Sequence, residues 1–287
     1  MNKEEIKSEI KEEKNIKNNC KNLKKIIISI LLVICVLVVA LIIYDRVTIN
    51  NEYYIGEMNL YIPIFVYHDI VKEESEVKFD YMQTTAETFE NQLNGLKNAG
   101  YHFINYEDLV EYKNGNKKLY KKSCILTFDD GYDGVYENAY PIAKKYEIPF
   151  TMFVITENMN TPECITWEQA KEMKESGLAT IASHSIDHPE FTSLSTQEAV
   201  DNVNKSYEII EQNLGKDKIK IFTYPYGLHT EEQLQALKEE GYIQNLTDNK
   251  INKSKSLNLY GLHRDYPLSD SIYKILLKIM YRSIRYD

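Results

Sequence analysis

The chain has 287 residues, 43 acids against 34 bases, a formal charge of −9 and 43% hydrophobic residues, so it is long enough for one large domain or two small ones. The bases are uneven: beyond Arg46, residues 47–287 carry 25 bases and 37 acids, a net charge near −12. That balance counts against nucleic acid as a partner and leaves a neutral glycan open.

Residues 1–25 form a Lys/Glu-rich tail with few apolar residues, read as a solvated or loosely helical segment. Ile26 to Ile43 is an uncharged aliphatic run interrupted only by one Ser, one Cys and one Ala. As a helix it spans roughly 27 Å, close to a hydrocarbon core, and reads as one transmembrane helix. A cleaved signal peptide or a buried core helix competes with that reading. A signal peptide, however, has a shorter apolar region and a small-residue cleavage site, whereas Tyr44, Asp45 and Arg46 follow this run directly. Eight lysines precede the run, which places the N-terminus in the cytoplasm and everything after Arg46 outside. The expected organisation is a cytoplasmic tail (1–25), a single-pass helix in the cytoplasmic membrane (26–43), a short extracytoplasmic stalk (44–61) and one domain (62–287). The four cysteines make no disulfide framework: Cys20 and Cys35 lie before and within the span, and a bridge between Cys124 and Cys164 has nothing to support it.

Within the outer domain, short apolar runs predict strands at 62–67, 123–128, 150–155, 179–183, 219–223 and 243–246, of the kind seen in buried parallel sheets. Helices between them start at capping-box spacings, Thr84 with Glu87, Thr166 with Gln169, Ser195 with Glu198 and Thr230 with Gln233. Gly100, Gly177 and Gly241 sit where helices should stop. Alternating β and α implies a parallel sheet, barrelled or doubly wound. Residues 269–286 place Ile272, Ile275, Leu276, Ile279, Met280 and Ile284 at helical spacing, read as core packing and not as a second membrane anchor.

Two segments carry chemistry. In Thr127-Phe128-Asp129-Asp130-Gly131 two acids follow a buried strand, where loops held by a rigid sheet build sites. Adjacent carboxylates repel, so one calls for a metal or cation while the other stays free to take a proton, although an Asp-Gly turn alone would also explain them. In His184-Ser185-Ile186-Asp187-His188-Pro189 two histidines four apart again follow a strand, and with Asp130 they give three ligands of the type zinc accepts.

These two motifs, together with Thr223-Tyr224-Pro225-Tyr226-Gly227, resemble the polysaccharide deacetylases of carbohydrate esterase family 4, the NodB-like domain, from about Ile62 to near the end. The resemblance implies an α/β fold, a distorted (β/α) barrel, here preceded by the transmembrane helix. It implies one divalent ion, zinc first, with Asp130, His184 and His188 as ligands, Asp129 as general base and the Tyr226 N–H as oxyanion donor. Iron, cobalt and nickel suit the same donors. Phe65-Val66-Tyr67-His68 is similar to an element of the subgroup acting on poly-N-acetylglucosamine, which makes His68 the general acid, with His263 as rival. Many members have Arg where this chain has Thr223, and Arg264 is expected to take over that arginine's grip on the base. The expected activity is removal of N-acetyl groups from an N-acetylglucosamine-containing polysaccharide, poly-N-acetylglucosamine or peptidoglycan-like, and this acetylated polysaccharide is the expected partner. An ester deacetylase of O-acetylated glycans and a silent glycan-binding domain are the alternatives.

Overall fold

The computed structural model describes Lys21 and residues 23–40, 59–247 and 250–285. The tail up to Cys20, the end of the expected span at 41–43 and the stalk at 44–58 lie outside the described residues. The chain divides into two units between residues 52 and 53. In the first, α1 (Leu23–Ala40) is, among the described residues, the one helix long and apolar enough to cross a membrane, with mean hydropathy 2.8 and no residue buried.

The second unit begins with β1 (Ile64–Tyr67), β2 (Asp69–Val71), β3 (Gln83–Thr85), α2 (Ala86–Asn98), β4 (His102–Phe103), α3 (Tyr106–Lys113) and β5 (Ser123–Phe128). It continues with α4 (Tyr140–Tyr146), β6 (Phe150–Val154), α5 (Trp167–Glu175), β7 (Ala179–Ser183), α6 (Thr196–Leu214) and β8 (Lys220–Thr223). It closes with α7 (Glu231–Glu239), β9 (Tyr242–Leu246), β10 (Leu262–His263) and α8 (Ile272–Arg285). The main sheet runs β1-β5-β6-β7-β8-β9-β10, all parallel, with β4 also on β5, while β2 and β3 pair apart. Just past β10 the chain returns to β1: Val66 N–H donates to Asp265 O at 2.8 Å and Asp265 N–H to Ile64 O at 2.7 Å. The sheet thus curls into a nearly closed, distorted (β/α) barrel.

The predicted strands all form, with bounds within two residues of those expected, because helices or barrel interior cover both faces and every residue of β5 and β6 is buried. Alternate side chains feed two cores. Ile64, Ile125, Phe153, Ala182 and Ile221 pack on one face. Phe65, Leu126, Phe128, Met152 and Ile181 pack on the other, with Phe89 and Leu93 of α2. Three predicted capping boxes are present, at Thr166, Ser195 and Thr230. The fourth is corrected: Thr84 is the buried middle of β3, and Thr85 caps α2 by accepting from Thr88 N–H at 3.2 Å. A further box, Asn105 with Asp108, starts α3.

The C-terminal helix needs a second correction. Ile275 and Ile279 are buried, but Met280 and Ile284, expected in the core, are 53% and 67% exposed, because α8 lies against the domain on one side only. Cys124 is buried and Cys164 half-buried, both as free thiols.

Candidate active site

The candidate residues gather where the parallel strands end. Beyond β5, Asp129 N–H donates to Tyr67 O at 2.9 Å, holding the chain beside β1 for one more residue before Asp130 and Gly131 turn with φ of 71° and 91°. Beyond β7, His184 N–H donates to Val154 O at 2.9 Å, and Ser185 and His188 then take φ of 76° and 57°. Tyr226, after β8, has φ 56°. Four of the eight described non-glycine residues with positive φ therefore lie in these three loops. Such strain costs of order 1–3 kcal/mol each and persists where surrounding structure holds it for a purpose. The holding is visible: Ser185 Oγ accepts His188 N–H at 2.9 Å, and Asn202 Oδ1 accepts Ile186 N–H at 3.0 Å.

These turns bring Asp130 Oδ1 to 3.4 Å from His184 Nε2 and 3.6 Å from His188 Nε2. One donor atom from each residue lies within 4.8 Å of the others. Thr223 O sits 2.9 Å from His184 Nδ1, which assigns the proton to Nδ1 and leaves the Nε2 lone pair facing Asp130. Burial pushes the His184 imidazole down to about 3 and lowers His188 as well, so both rings are neutral at pH 7. Burial, then the charge of Asp129, pushes the Asp130 carboxyl up to about 7, and its Oδ1 is buried without a hydrogen-bond partner among the described residues. Two neutral imidazoles and an unsatisfied carboxylate oxygen converging on one point fit a divalent cation of the zinc type.

Asp129 is held differently. Arg264 donates from its two terminal nitrogens to Asp129 Oδ1 at 2.7 Å and Oδ2 at 2.8 Å, a bidentate fork with both side chains buried. Burial alone would raise the Asp129 carboxyl, but the Arg264 guanidinium and the neighbouring imidazoles hold it at about 2. The guanidinium lies over the Phe153 ring, 5.5 Å from its centroid.

An open cleft of about 370 Å³ joins these groups. His68 lines it and stacks at 6.0 Å on Tyr266; burial lowers its pKa, partly countered by Asp129. His263, the rival acid, is not among the lining residues, and its backbone is tied to Asn252. Tyr226 lines the cleft, 64% exposed, its ring edge-on to His188 at 4.5 Å. All seven candidate residues thus meet in one cleft.

Comparison with known proteins supplies the family. A family model described as polysaccharide deacetylase matches residues 116–244. The Bacillus subtilis protein YxkH, whose own name assigns it provisionally to the polysaccharide deacetylases, is 32% identical over 203 residues, covering 71% of this chain and 70% of that protein. The chain belongs to the polysaccharide deacetylase family. A Staphylococcus aureus (strain MRSA252) protein, poly-beta-1,6-N-acetyl-D-glucosamine N-deacetylase, is 31% identical across 66% of this chain and 69% of its own length. Among solved structures, Streptococcus pyogenes deacetylase PplD in complex with acetate superposes with a TM-score of 0.69 at 28% identity, over 78% of this chain and 99% of that one.

Sequence reasoning missed part of this deacetylase's cleft. Tyr81, Met82, Thr247 and Tyr266 also line it. Tyr266 was within reach, since it stands two residues after Arg264 and an extended segment points such pairs the same way. Tyr81 and Met82 come from the loop before β3, which carries no periodic pattern. Trp167 is half-buried and packs against the helix-side core, with its backbone N–H on Asn160 Oδ1 at 3.0 Å.

Proposed function

We propose that this chain is a membrane-anchored, metal-dependent enzyme that removes N-acetyl groups from an N-acetylglucosamine-containing polysaccharide outside the cytoplasmic membrane. One observation carries the reading: a carboxylate clamped by a buried arginine stands beside a two-histidine, one-carboxylate donor set in an open cleft. Asp130, His184 and His188 would hold one divalent ion, zinc first, with iron, cobalt and nickel suiting the same donors. When bound, such an ion supplies Lewis acidity to the acetyl carbonyl and to a water molecule.

The chain's own groups do the rest. Asp129, kept ionised by Arg264, accepts the proton of the attacking water. A carboxylate held that low takes a proton only from an oxygen whose acidity has been raised, which is why the base and the donor set belong together. The tetrahedral oxyanion is received by the Tyr226 backbone N–H. His68 lines the cleft as the acid for the departing amine: burial disfavours its charged form, so a proton it takes up while Asp129 stabilises that form is readily passed on. Arg264 positions Asp129 and keeps it charged.

The S. aureus relative, named for poly-beta-1,6-N-acetyl-D-glucosamine, and the His68 element favour that class of polymer. α1 and the aliphatic residues after it would anchor the enzyme, with the lysine-rich tail in the cytoplasm. The test is acetate release from poly-N-acetylglucosamine oligomers and O-acetylated xylan oligomers in parallel. Release from the first, abolished by a chelator and by Asp129→Asn, is expected. Release only from the ester substrate moves the reading to an esterase, and ion binding without hydrolysis of either reduces it to a glycan-binding domain.

A further inference from the structure

We infer that the exposed face of α8 is an interfacial helix that lies in an anionic phospholipid surface. At 3.6 residues per turn, Tyr273, Leu277, Met280, Tyr281 and Ile284 fall within about 100° of arc. All five are more than half exposed, Tyr273 at 77%. The opposite side is fixed to the domain, so the stripe cannot turn inward. Ile275 and Ile279 are buried, Gly95 of α2 lets the Ile272 side chain approach so closely that a Cβ there would meet it at 2.4 Å, and Gln92 Nε2 donates to Leu268 O and Asp270 O at 2.8 and 2.7 Å.

Three arguments select the occupant. The helix carries no acid in an otherwise acidic domain, and Lys274 and then Lys278 follow the stripe on one flank, with Arg282 further round towards the domain. Lys274 and Lys278 share the single carboxylate of Asp270, and Arg282 pairs with Asp265, so this flank keeps a net positive charge. An apolar stripe with tyrosines and a basic border is the pattern of helices that lie in the headgroup boundary. Second, five side chains on one fourteen-residue helix fall far short of the roughly 20–30 residues a side of a stable protein–protein interface, which counts against a second copy. Third, 19 residues lie between Ala40 and Leu60, at most about 70 Å of extended chain, so a membrane-held α1 keeps the domain within reach of the bilayer. This last argument rests on the anchor reading, and none rests on the deacetylation chemistry.

The full chain reconstituted into vesicles tests it, because wild type has a single tryptophan, Trp167, as baseline. Leu277→Trp and Ile284→Trp each add a reporter on the stripe, and Lys216→Trp adds one at an exposed site elsewhere. In vesicles containing anionic lipid brominated near the headgroup end of the acyl chains, the added emission of the first two should fall at least about twofold and shift to the blue, as expected for side chains seated in the headgroup boundary. The Lys216→Trp emission should not change. An unquenched stripe overturns the inference, and a blue shift without bromine quenching does so in favour of a protein partner. Co-sedimentation of wild type with the vesicles reads the anchor separately, so loss of one result leaves the other standing.

Discussion

Replacing Arg264 by Met removes the one cation that, among the described residues, is bonded to Asp129, and strands a buried carboxylate. The Asp129 carboxyl is held at about 2 against an ordinary 3.8, a difference of about 2–3 kcal/mol in favour of the folded, ionised form. Because the folded pKa is depressed, that contribution is fully present above pH 4 and fades only as pH falls towards 2. At neutral pH the variant therefore loses all of it and adds the penalty of an uncompensated buried charge, roughly 3–5 kcal/mol altogether. For a domain of this size that lowers Tm by roughly 6–20 °C. Trp167 fluorescence can follow the transition, since its ring packs on the domain core. The decisive comparison is the double variant Arg264→Met with Asp129→Asn, in which the stranded charge is gone. It should recover at least about 1 kcal/mol relative to Arg264→Met, the non-additivity expected of contacting residues. Arg264→Lys should recover stability only in part, having lost the fork that engages both oxygens. If Arg264→Met melts within about 2 °C of wild type, or the double variant is no more stable than the single, the fork is not the device described here.

Asp129→Asn should lower kcat by at least about 100-fold while calorimetric titration still counts one divalent ion per chain, because Asp129 is not one of the converging donors. His184→Ala or Asp130→Ala should instead weaken Co²⁺ affinity by more than about 100-fold, and unchanged affinity would dissolve the assigned site. His68→Gln should cost kcat at least about 100-fold and His263→Gln only a small factor, with the reverse order transferring the acid role to His263. Gln92→Leu strands the Tyr67 hydroxyl and the carbonyls of Leu268 and Asp270. It should destabilise the domain by about 2–4 kcal/mol in urea unfolding; a loss under 1 kcal/mol would mean that water or rearrangement replaces those bonds.

The long buried strands and the ligand-bearing loops could be read from the sequence because each is local. An apolar run of five or six residues announces a covered strand, and Asp129 with Asp130, or His184 with His188, sit within five residues of one another. β2, β3, β4 and β10, of two or three residues each, leave no periodicity to detect. Arg264 stands out in the sequence as a partner for Asp129, but their separation of 135 positions is bridged only when the segment after β10 bonds to β1 and the barrel nearly closes. The same limit governs α8. Helical spacing marks which residues are apolar, not which face is covered, and here Gly95, Gln92 and the packing of Ile275 and Ile279 decide that Met280 and Ile284 stay outside. By itself the sequence determined the apolar span, the alternating strands and helices, and the residue types able to hold an ion and move a proton. Tertiary structure decided the fork on Asp129, the place of His68 in the cleft and the open face of α8, because each depends on contacts between segments far apart in the chain, which no local pattern encodes.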